Sequence, residues 1–366
     1  MRNFKHILTF LLWLTLLGGI FLVGCADEDT VSADPETGVD DADSAPDTEE
    51  GDTLATILDR GYVIVGGNNQ LPGFGYLNSD GEYEGFDVDF GKTLAAAIFD
   101  DPEAIEVRPL SAQERFTALQ TGEVDVLIRN TTWTLDRDVA LGTNFTPTTF
   151  YDGQGLMVRS DSGITSLEEL EGARIGVETG TTTESNLADQ FRKYGITYEQ
   201  VLFDDSDAVV EAYESGNIDA WTTDKSGLVS RQATLANPDQ HVILEENLSK
   251  EPLGPAVRHG DDQWFDIVKW VTLATIEAEE LGITSENYED FFDSEDPVVR
   301  RFMGQEGELG QMLGIDDAFA VRVIEHVGNY QEIYDRNLGP DTIFNLDRGL
   351  NDLYTDGGIL YSPPFR

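Results

Sequence analysis

Two short stretches, Gly122-Glu-Val-Asp-Val126 and Gly216-Asn-Ile-Asp-Ala220, share one pattern and determine the predicted fold class. In each, a glycine ends a helix and an apolar strand follows, with Asp at the second strand position. Outward from both stretches, apolar strands alternate with amphipathic helices, which is typical of α/β domains with largely parallel sheets. We therefore predict two separate α/β lobes. One doubly wound sheet is the alternative.

The predicted elements form two series, one around each stretch. The predicted strands are 62–65, 124–128, 173–177 and 218–221, and the main predicted helices are 86–99, 181–193 and 208–215. Two glycine-bearing extended segments, 151–158 and 253–257, flank the second series and are interpreted as crossings between the lobes. Beyond Glu280 the pattern is mostly helical.

Composition excludes some functions. The chain has 366 residues, of which 70 are acidic and 23 basic, so its net charge is −47. Such a surface repels phosphate backbones and argues against nucleic-acid binding. A single cysteine and four histidines without metal-ligand spacing predict no disulfide within the chain, no metal site and no cofactor.

The N-terminus has the pattern of an export signal. Basic Arg2 and Lys5 precede an apolar run from Ile7 to Val23 that ends in small residues. An uncleaved membrane anchor is the alternative, although the run is slightly short for a span. In either case we expect the remainder of the chain outside the cytoplasmic membrane, with no later segment apolar enough to cross it.

An acidic segment follows the apolar run. Ala26–Asp52 carries twelve acidic residues, no basic residue and two bulky apolar ones. It buries too little apolar surface to offset the entropy of ordering, so it is predicted to be a disordered, extended tether. Calcium binding is the alternative, but the segment lacks the loop pattern with a central Gly and a terminal Glu.

Polar segments follow three predicted strands, where ligands bind in parallel α/β sheets. Arg129–Arg137 is rich in donors, Glu178–Glu184 opens a helix through a capping box, and Thr222–Asp224 ends in a carboxylate. An Arg grips a carboxylate and an Asp accepts from an ammonium, which together suit a zwitterion held between the lobes. Closure then has a cause, since contacts to both walls exist only in the closed form.

Each of these residues also has a structural interpretation. Thr181 is a helix cap in that interpretation, and Arg137 joins Asp136 and Asp138 in a surface ion-pair cluster. Asp224 instead caps the helix that follows it, and Trp133 belongs to the core. Only the combination of the segments favours a ligand site.

Many motifs in one order resemble a known family. The motifs are Leu71-Pro-Gly-Phe74, Gly85-Phe-Asp-Val-Asp-Phe90, Glu114-Arg-Phe-Thr-Ala-Leu-Gln120, Arg129-Asn-Thr-Thr-Trp-Thr134, Tyr151-Asp-Gly-Gln-Gly155, Thr179-Gly-Thr-Thr-Thr-Glu184, Lys250-Glu-Pro-Leu-Gly-Pro-Ala256 and Gly260-Asp-Asp-Gln-Trp-Phe265. With them the chain resembles the periplasmic solute-binding proteins of polar amino-acid ABC transporters (extracellular solute-binding protein family 3), and within them the general L-amino-acid-binding branch.

The resemblance implies an α/β, two-lobed periplasmic-binding-protein (Venus flytrap) fold with a helical C-terminal extension. The expected divisions are a lipoprotein signal peptide (1–24), an acidic tether (25–52), lobe 1 (53–151 and 252–285), lobe 2 (156–248) and the extension (286–366).

The resemblance also assigns binding roles. Arg137 pairs with the ligand α-carboxylate, and Thr132 is the hydroxyl residue five positions before it. Asn130 lies where a backbone carbonyl or side chain meets the ammonium. Thr182 of the Gly-Thr-Thr motif contacts the carboxylate, beside Thr181. Asp224 accepts from the ammonium. The aromatic residue that stacks on the ligand in many relatives falls near Leu71, where this chain departs from the pattern. Phe74 and Trp133 are the candidate substitutes.

The resemblance implies partners and a location as well. Leu22-Val-Gly-Cys25 resembles a bacterial lipobox, which predicts cleavage before Cys25 and lipidation of that residue. The expected protein is a lipid-anchored monomer that captures a free L-amino acid and delivers it to ABC-transporter permease subunits, without catalysis. An enzyme similar to cyclohexadienyl (arogenate or prephenate) dehydratases is the alternative, and a sensor domain of a signalling receptor is a third.

Overall fold

The computed structural model describes residues 52–366. The predicted signal peptide, the lipidation of Cys25 and nearly all of the tether lie outside the described residues. In chain order, the strands are β1 (Val63–Gly67), β2 (Gln70–Leu71), β3 (Gly75–Leu77), β4 (Tyr83–Glu84), β5 (Ile105–Pro109), β6 (Val126–Leu127), β7 (Thr143–Phe145), β8 (Phe150–Asp152), β9 (Gln154–Arg159), β10 (Arg174–Glu178), β11 (Glu199–Phe203), β12 (Ala220–Asp224), β13 (His241–Ile243), β14 (Glu251–Leu253) and β15 (Ala256–Arg258).

The α-helices are α1 (Thr53–Arg60), α2 (Phe86–Phe99), α3 (Arg115–Gln120), α4 (Thr182–Tyr194), α5 (Ser206–Glu214), α6 (Lys225–Thr234), α7 (Asp262–Leu281), α8 (Pro297–Phe302), α9 (Leu309–Leu313), α10 (Phe319–His326) and α11 (Tyr330–Asn337). Shorter helical turns are Asp136–Ala140 (π) and, of the 3-10 type, Ser160–Ser162, Leu167–Leu170, Pro238–Gln240, Tyr288–Phe291, Gly349–Asn351 and Tyr354–Asp356. None of the helices built from residues 52–366 is long and apolar enough to span a bilayer.

The strands form two separate five-stranded sheets, which confirms the two-lobed prediction; the single-sheet alternative is wrong. Lobe 1 has the order β5-β1-β6-β15-β7, and lobe 2 has the order β11-β10-β12-β9-β13. In each sheet the first three strands are parallel, and the fourth strand (β15 or β9) is antiparallel to both of its neighbours. The strands β2, β3 and β4 form a small antiparallel sheet of their own.

The repeated Asp of the two opening stretches has the same task in both lobes. The Asp125 carboxylate accepts the backbone N–H of Ile64 (2.7 Å), and the Asp219 carboxylate accepts that of Arg174 (2.9 Å). Each Asp also pairs with an arginine, Arg60 in lobe 1 and Arg174 in lobe 2. The side chain thereby fastens the strand that follows the glycine, which is the central strand of its sheet, to the neighbouring parallel strand, β1 or β10.

Two adjacent strands connect the lobes. The chain leaves lobe 1 through β8 and enters the lobe 2 sheet as β9, and it returns through β14 to the lobe 1 sheet as β15. Strands β8 and β14 pair in antiparallel fashion, with Asp152 opposite Glu251. The predicted crossings are therefore confirmed, and a two-stranded ribbon forms the junction behind the gap between the lobes.

The C-terminal helices pack on lobe 1. Val323 and Ile324 of α10 and Tyr330 and Tyr334 of α11 are fully buried in the same core as Phe86 of α2. The predicted helical extension is therefore confirmed as a helical layer on lobe 1. Its last part reaches the crossing ribbon, where the Asn351 side chain accepts the Tyr151 N–H.

Candidate ligand-binding cleft

The three predicted strand-end segments meet between the lobes. The first follows β6 in lobe 1, while the second and third follow or end β10 and β12 in lobe 2. Across the gap, Thr132 Oγ1 lies 3.3 Å from Thr182 Oγ1, and Arg129 Nη2 lies 3.3 Å from Glu178 Oε1. The segments therefore form facing walls of one cleft.

Arg137 is the predicted carboxylate-binding residue, and it is buried in lobe 1. Its side chain is 6% exposed, and Nη1 donates to the backbone carbonyl of Thr132 (2.8 Å). The guanidinium lies over the Phe116 ring, 5.1 Å from its centroid. The surface ion-pair interpretation with Asp136 and Asp138 is thus wrong, because a buried guanidinium facing the cleft does not belong to a solvated cluster.

Two further arginines lie beside Arg137. Arg115 is 2% exposed, and its Nε has no partner among the described atoms. Burial lowers the pKa of Arg115 well below its ordinary value, and the positive charges of Arg137 and Arg129 lower it further. Arg129 donates from Nε to the Leu110 carbonyl (2.6 Å). Lobe 1 therefore presents a concentrated positive pole at the cleft.

Asp224 is the predicted ammonium-binding residue, and it is 7% exposed at the end of β12. It occupies the N-cap position of α6, yet its side chain makes no capping hydrogen bond. The Ser226 N–H and hydroxyl donate to Asp152 instead. The capping interpretation of Asp224 is therefore wrong, and its carboxylate is available to a ligand.

The environment of Asp224 is strongly anionic. Burial raises its pKa well above the ordinary value, and the carboxylates of Asp152 and Glu251 raise it further. The positive charges of Arg115 and Arg137 act in the opposite direction. In return, Asp224 and Glu251 counteract the lowering of the Arg137 pKa by burial. The positive and negative poles thus act on each other across the cleft.

The helix start in lobe 2 has the predicted Thr181 cap but not the complete capping box, because the Glu184 side chain accepts the N–H of Gly180 (3.2 Å) and not that of Thr181. Thr181 Oγ1 accepts the Glu184 N–H (3.2 Å) and donates to the Glu178 carbonyl (2.7 Å). The hydroxyl of Thr181 is therefore occupied within lobe 2. The next residue, Thr182, turns its hydroxyl toward the crossing ribbon and donates to Glu251 Oε2 (2.9 Å).

Asn130 and Leu71 lie at the lobe 1 edge of the cleft. Asn130 has a φ of +32°, its N–H donates to Asp87 (2.6 Å), and its side-chain oxygen accepts from Asn68 (3.2 Å). Leu71 is 8% exposed and faces α6 of lobe 2, where a Cβ on Gly227 would lie 3.8 Å from Leu71 Cδ1. Leu71 thus lies where the lobes meet, as its predicted role requires.

The two aromatic candidates are not brought together with the other predicted residues. Phe74 is 1% exposed and packs edge-to-face on Phe86 and Phe150 in the lobe 1 core. Trp133 is 43% exposed, stacks on Phe145 and donates from Nε1 to Asp138 (3.1 Å). Neither ring has a described contact with Arg137 or Asp224, so a stacking role for either stays a prediction.

The cleft contains two cavities lined by both lobes. One of about 430 Å³ is bounded by Phe116, Thr134 and Arg137 in lobe 1 and by Thr182 and Asn186 in lobe 2. The other, of about 520 Å³, is lined by residues that include Asn68, Gln113 and Arg129 in lobe 1 and Glu178 and Asp204 in lobe 2. Their sizes are those of small-molecule sites.

This geometry agrees with a family match. The model for bacterial extracellular solute-binding proteins, family 3, matches residues 63–293, which contain both sheets and the crossing ribbon. The chain belongs to this family. The resemblance that the sequence motifs indicate is thereby confirmed.

Relatives of this family cover most of the chain. The general L-amino acid-binding periplasmic protein AapJ of Rhizobium johnstonii is 51% identical over 316 residues, which are 86% of this chain and 93% of AapJ. The glutamate/glutamine/aspartate/asparagine-binding protein BztA of Rhodobacter capsulatus is 48% identical, with coverages of 86% and 93%. A periplasmic binding protein from Brucella ovis, solved with glutathione bound, is 47% identical with a TM-score of 0.85, covering 86% of this chain and all of that one.

The family motifs include two site residues to which the sequence assigned no role. Glu251, from the Lys-Glu-Pro motif, is 1% exposed and accepts from both Thr132 (2.6 Å) and Thr182 (2.9 Å). Asp152, from the Tyr-Asp-Gly motif, is its neighbour on β8. Asp152 lies within the predicted crossing 151–158, and Glu251 lies two residues before the predicted crossing 253–257, so the motifs placed both acids near the junction without indicating a role for either.

Within residues 52–366, one cluster of side chains has the composition of a metal-binding group. Asp100, Glu325 and His326 hold potential ligand atoms within 4.8 Å of one another, and all three are exposed. His326 Nε2 lies 2.8 Å from Asp100 Oδ1, so a pair between these two side chains explains why the group is close together. The group lies where α10 ends beside α2 and is separate from the cleft residues, so it adds nothing to the ligand site.

Proposed function

We propose that this chain is the extracytoplasmic substrate-binding component of an ABC transporter for polar or general L-amino acids. The observation that carries the proposal is the pair of buried, opposite poles in one cleft, with Arg137 in lobe 1 and Asp224 in lobe 2. A free α-amino acid has a carboxylate, which is opposite in charge to Arg137, and an ammonium, which is opposite in charge to Asp224. The family and the names of its relatives support the same ligand class.

The capture mechanism uses both lobes. Arg137 is already fixed by its bond to the Thr132 carbonyl, which leaves other guanidinium N–H groups for a ligand carboxylate. Asp224 has no helix-capping bond and accepts from the ammonium. A ligand held at both ends binds each wall, so it favours the form in which the lobes are closed.

The cleft also suits ligands of more than one side-chain type. Beyond the poles, Arg129 and Glu178 supply one charge of each sign, and amides of Asn68 and Gln113 line the same cavity. An acidic side chain of the ligand has Arg129 as a partner, and a side-chain amide of the ligand has both the charged groups and the amides of this cavity. A small γ-glutamyl peptide such as glutathione is a second candidate ligand, because it carries a free α-amino acid end and the Brucella relative was solved with it.

The cellular arrangement extends the proposal to the part of the chain before residue 52. A signal peptide (1–24) directs export, Cys25 receives the lipid that anchors the protein, and the acidic tether (25–52) holds a monomeric body near the permease. Lobe 1 (53–151 and 252–285), lobe 2 (156–248) and the extension (286–366) make up that body. The export motif and the periplasmic location in the names of relatives support this arrangement.

The protein is proposed to bind its ligand without transforming it. The cyclohexadienyl dehydratase alternative needs a general acid or base in the cleft. His241 pairs with Tyr213 and His326 with Asp100, away from the cleft residues, and Asp224, the buried carboxylate available in the cleft, is assigned to the ligand ammonium. The sensor alternative has no support from the family match, which is to solute-binding proteins.

The test is a calorimetric titration of the exported protein with the twenty L-amino acids, their D-enantiomers and glutathione. We expect at least one L-amino acid to bind in the micromolar range or tighter and to raise the melting temperature. Arogenate and prephenate are incubated in parallel and assayed for turnover. Turnover without amino-acid binding would establish the enzyme alternative, and binding of neither class would overturn the proposal.

A further inference from the structure

Glu251 is a buried carboxylate at the junction of the lobes. It begins β14, on the returning strand of the crossing ribbon, and is 1% exposed. Within residues 52–366 it forms no salt bridge. A buried charge without a counter-ion is costly unless hydrogen bonds compensate it. Its presence here therefore needs an explanation beyond packing.

Four donors converge on this carboxylate. Oε2 accepts from the hydroxyls of Thr132 (2.6 Å) and Thr182 (2.9 Å), and Oε1 accepts from Asn186 Nδ2 (2.8 Å) and the Ser249 hydroxyl. A carboxylate has about four lone-pair sites, so Glu251 is saturated by protein donors. It consequently has no acceptor left for a ligand and acts through the groups that it holds.

The bonds to Glu251 fix the chemistry of two threonines. Each hydroxyl has one proton, and an ionised carboxylate has none to give, so Thr132 and Thr182 both donate to Oε2. Toward the cleft, each hydroxyl then offers lone pairs only. Since Thr132 belongs to lobe 1 and Thr182 to lobe 2, one carboxylate sets the polarity of both walls.

Other acids reinforce this polarity. Asp152 lies directly opposite Glu251 in the ribbon, and the charges of Asp152 and Glu251 both act on Asp224. Like charges placed opposite each other in a sheet are unfavourable, and a cation between them removes that cost. Arg115 and Arg137 act on Asp224 from lobe 1, but within residues 52–366 neither forms a salt bridge with any of these three acids, so the anionic pole is left for a cation from the ligand.

We propose that Glu251 is a positioning residue that makes the cleft specific for a protonated amine: it turns the Thr132 and Thr182 hydroxyls into acceptors and, with Asp152 and Asp224, forms the anionic pole at the lobe junction. This proposal rests on the proposed function and deepens it. It differs from the family assignment, in which Thr182 serves the carboxylate. The site discriminates against analogues of the ligand that lack the amine.

The test compares each amino acid with its deaminated analogue, for example L-glutamate with glutarate, by calorimetry. The amino acid used is the one that binds best in the panel above. In the wild-type protein we expect the amino acid to bind at least 100-fold more tightly than the analogue. In Glu251→Gln, one negative charge is lost, and the amide NH₂ is placed among side chains that themselves donate hydrogen bonds. We therefore expect this ratio to fall at least tenfold.

Controls separate this role from a general effect on folding. Glu169→Gln is the matched control. Glu169 also accepts a threonine hydroxyl, that of Thr165, but it lies at an exposed position. We expect this variant to keep the wild-type ratio. Circular dichroism and the melting temperature report whether Glu251→Gln folds. If it does not, Thr182→Val removes one of the oriented hydroxyls without changing the ribbon, and the same fall in the ratio is expected.

The outcomes distinguish the two proposals. If the wild-type protein binds no amino acid, the proposed function fails and this inference fails with it. If the wild-type protein binds and discriminates, but folded Glu251→Gln or Thr182→Val keeps the wild-type ratio, the proposed function stands and the role of Glu251 is refuted.

Discussion

Arg137 and Asp224 each have less than a tenth of their surface exposed, and within residues 52–366 neither forms a salt bridge. Withdrawing such groups from water is unfavourable unless a partner compensates the loss. A ligand with a charge at each end supplies both partners together. At the residue scale, the proposed binding of a zwitterion therefore uses charges that the protein leaves uncompensated within residues 52–366.

Replacing Arg137 with Ala tests the positive pole. The ligand carboxylate would lose its bidentate partner inside a closed cleft, so we expect the binding free energy to weaken by about 2–5 kcal/mol. Calorimetry with the best amino acid measures the change. Arg192→Ala, at a highly exposed position on α4, is the matched control and should bind as the wild type does. Unchanged affinity in Arg137→Ala would remove this residue from the site.

Proton release on binding tests the negative pole. Without ligand, burial raises the pKa of Asp152 to about 6 and that of Asp224 well above its ordinary value. An ammonium favours the ionised carboxylates and lowers these pKa values, so ligand binding should release protons and affinity should rise with pH from about 5 upward. Arg115, Arg137 and Glu251 face the same acids and set the size of the effect.

Calorimetry at pH 5.5 and 7.5, in buffers of different ionisation enthalpy, counts the protons. In Asp224→Asn we expect fewer protons released and an affinity that is lower and depends less on pH. Proton uptake in the wild-type protein would contradict the assignment, because it would place the ligand's positive charge elsewhere.

At the element scale, local signals predicted much of the structure. The helix predicted over 86–99 is α2, Phe86–Phe99, and the helix predicted over 181–193 is α4, Thr182–Tyr194. The strand predicted over 124–128 is longer than the observed strand, because β6 comprises only Val126–Leu127. The reason is Asp125, whose side chain takes the Ile64 N–H that a regular ladder would bind.

The part of the candidate site that depends on local features of the sequence was predictable, and the part that depends on long-range pairing was not. The strand-end rule located Arg137 and Asp224, since the carboxyl ends of strands are local features. The roles of Glu251 and Asp152 depend on the pairing of two strands that are about a hundred residues apart, which no local pattern contains. Likewise, Phe74 lies in the core because α2 and α11 pack over it, a consequence of tertiary structure.

Gly85 lies at the start of α2, where the chain passes close to the Phe74 backbone. Its φ is +128°, and a Cβ there would lie 2.3 Å from the Phe74 carbonyl oxygen, so Gly85→Ala combines backbone strain with a clash against backbone. We expect a loss of at least about 2 kcal/mol in the free energy of unfolding, measured with urea.

Gly81→Ala is the matched control for this substitution. Its φ is +83°, yet a Cβ there meets nothing within 4 Å, so only the conformational cost of about 1 kcal/mol is expected. Equal losses in the two variants would show that the contact with Phe74 contributes nothing.

At the scale of the whole molecule, the C-terminal extension is fastened to the crossing ribbon. Asn351 accepts the Tyr151 N–H (2.6 Å) and donates to the Tyr151 carbonyl (3.2 Å), and the Tyr330 hydroxyl donates to the Thr149 carbonyl (2.8 Å). Arg348 pairs with Glu279 through two nitrogens. The extension thus supports the ribbon from lobe 1, while the cleft contacts act on its other side.

Direct contacts between the lobes affect the equilibrium between the closed and open forms. Besides the residues around Glu251, Arg129 of lobe 1 pairs with Glu178 of lobe 2, and the Ser230 hydroxyl of lobe 2 donates to the Pro72 carbonyl of lobe 1. The Arg129–Glu178 pair is mostly buried, with 7% and 18% of the side chains exposed, so water screens it weakly. Loss of either partner would therefore leave the other charge buried and uncompensated when the lobes meet.

Glu178→Gln tests whether this pair favours closure. Without the glutamate charge, Arg129 is left uncompensated when the lobes meet, so the open form should gain population and ligand affinity should fall about three- to tenfold. Small-angle scattering should give a larger radius of gyration for the ligand-free variant than for the wild type, and equal radii once both are saturated. Glu199→Gln, on exposed β11 of the same sheet, should match the wild type. A variant whose radius and affinity equal those of the wild type would show that closure depends on the ligand poles and the crossing ribbon alone.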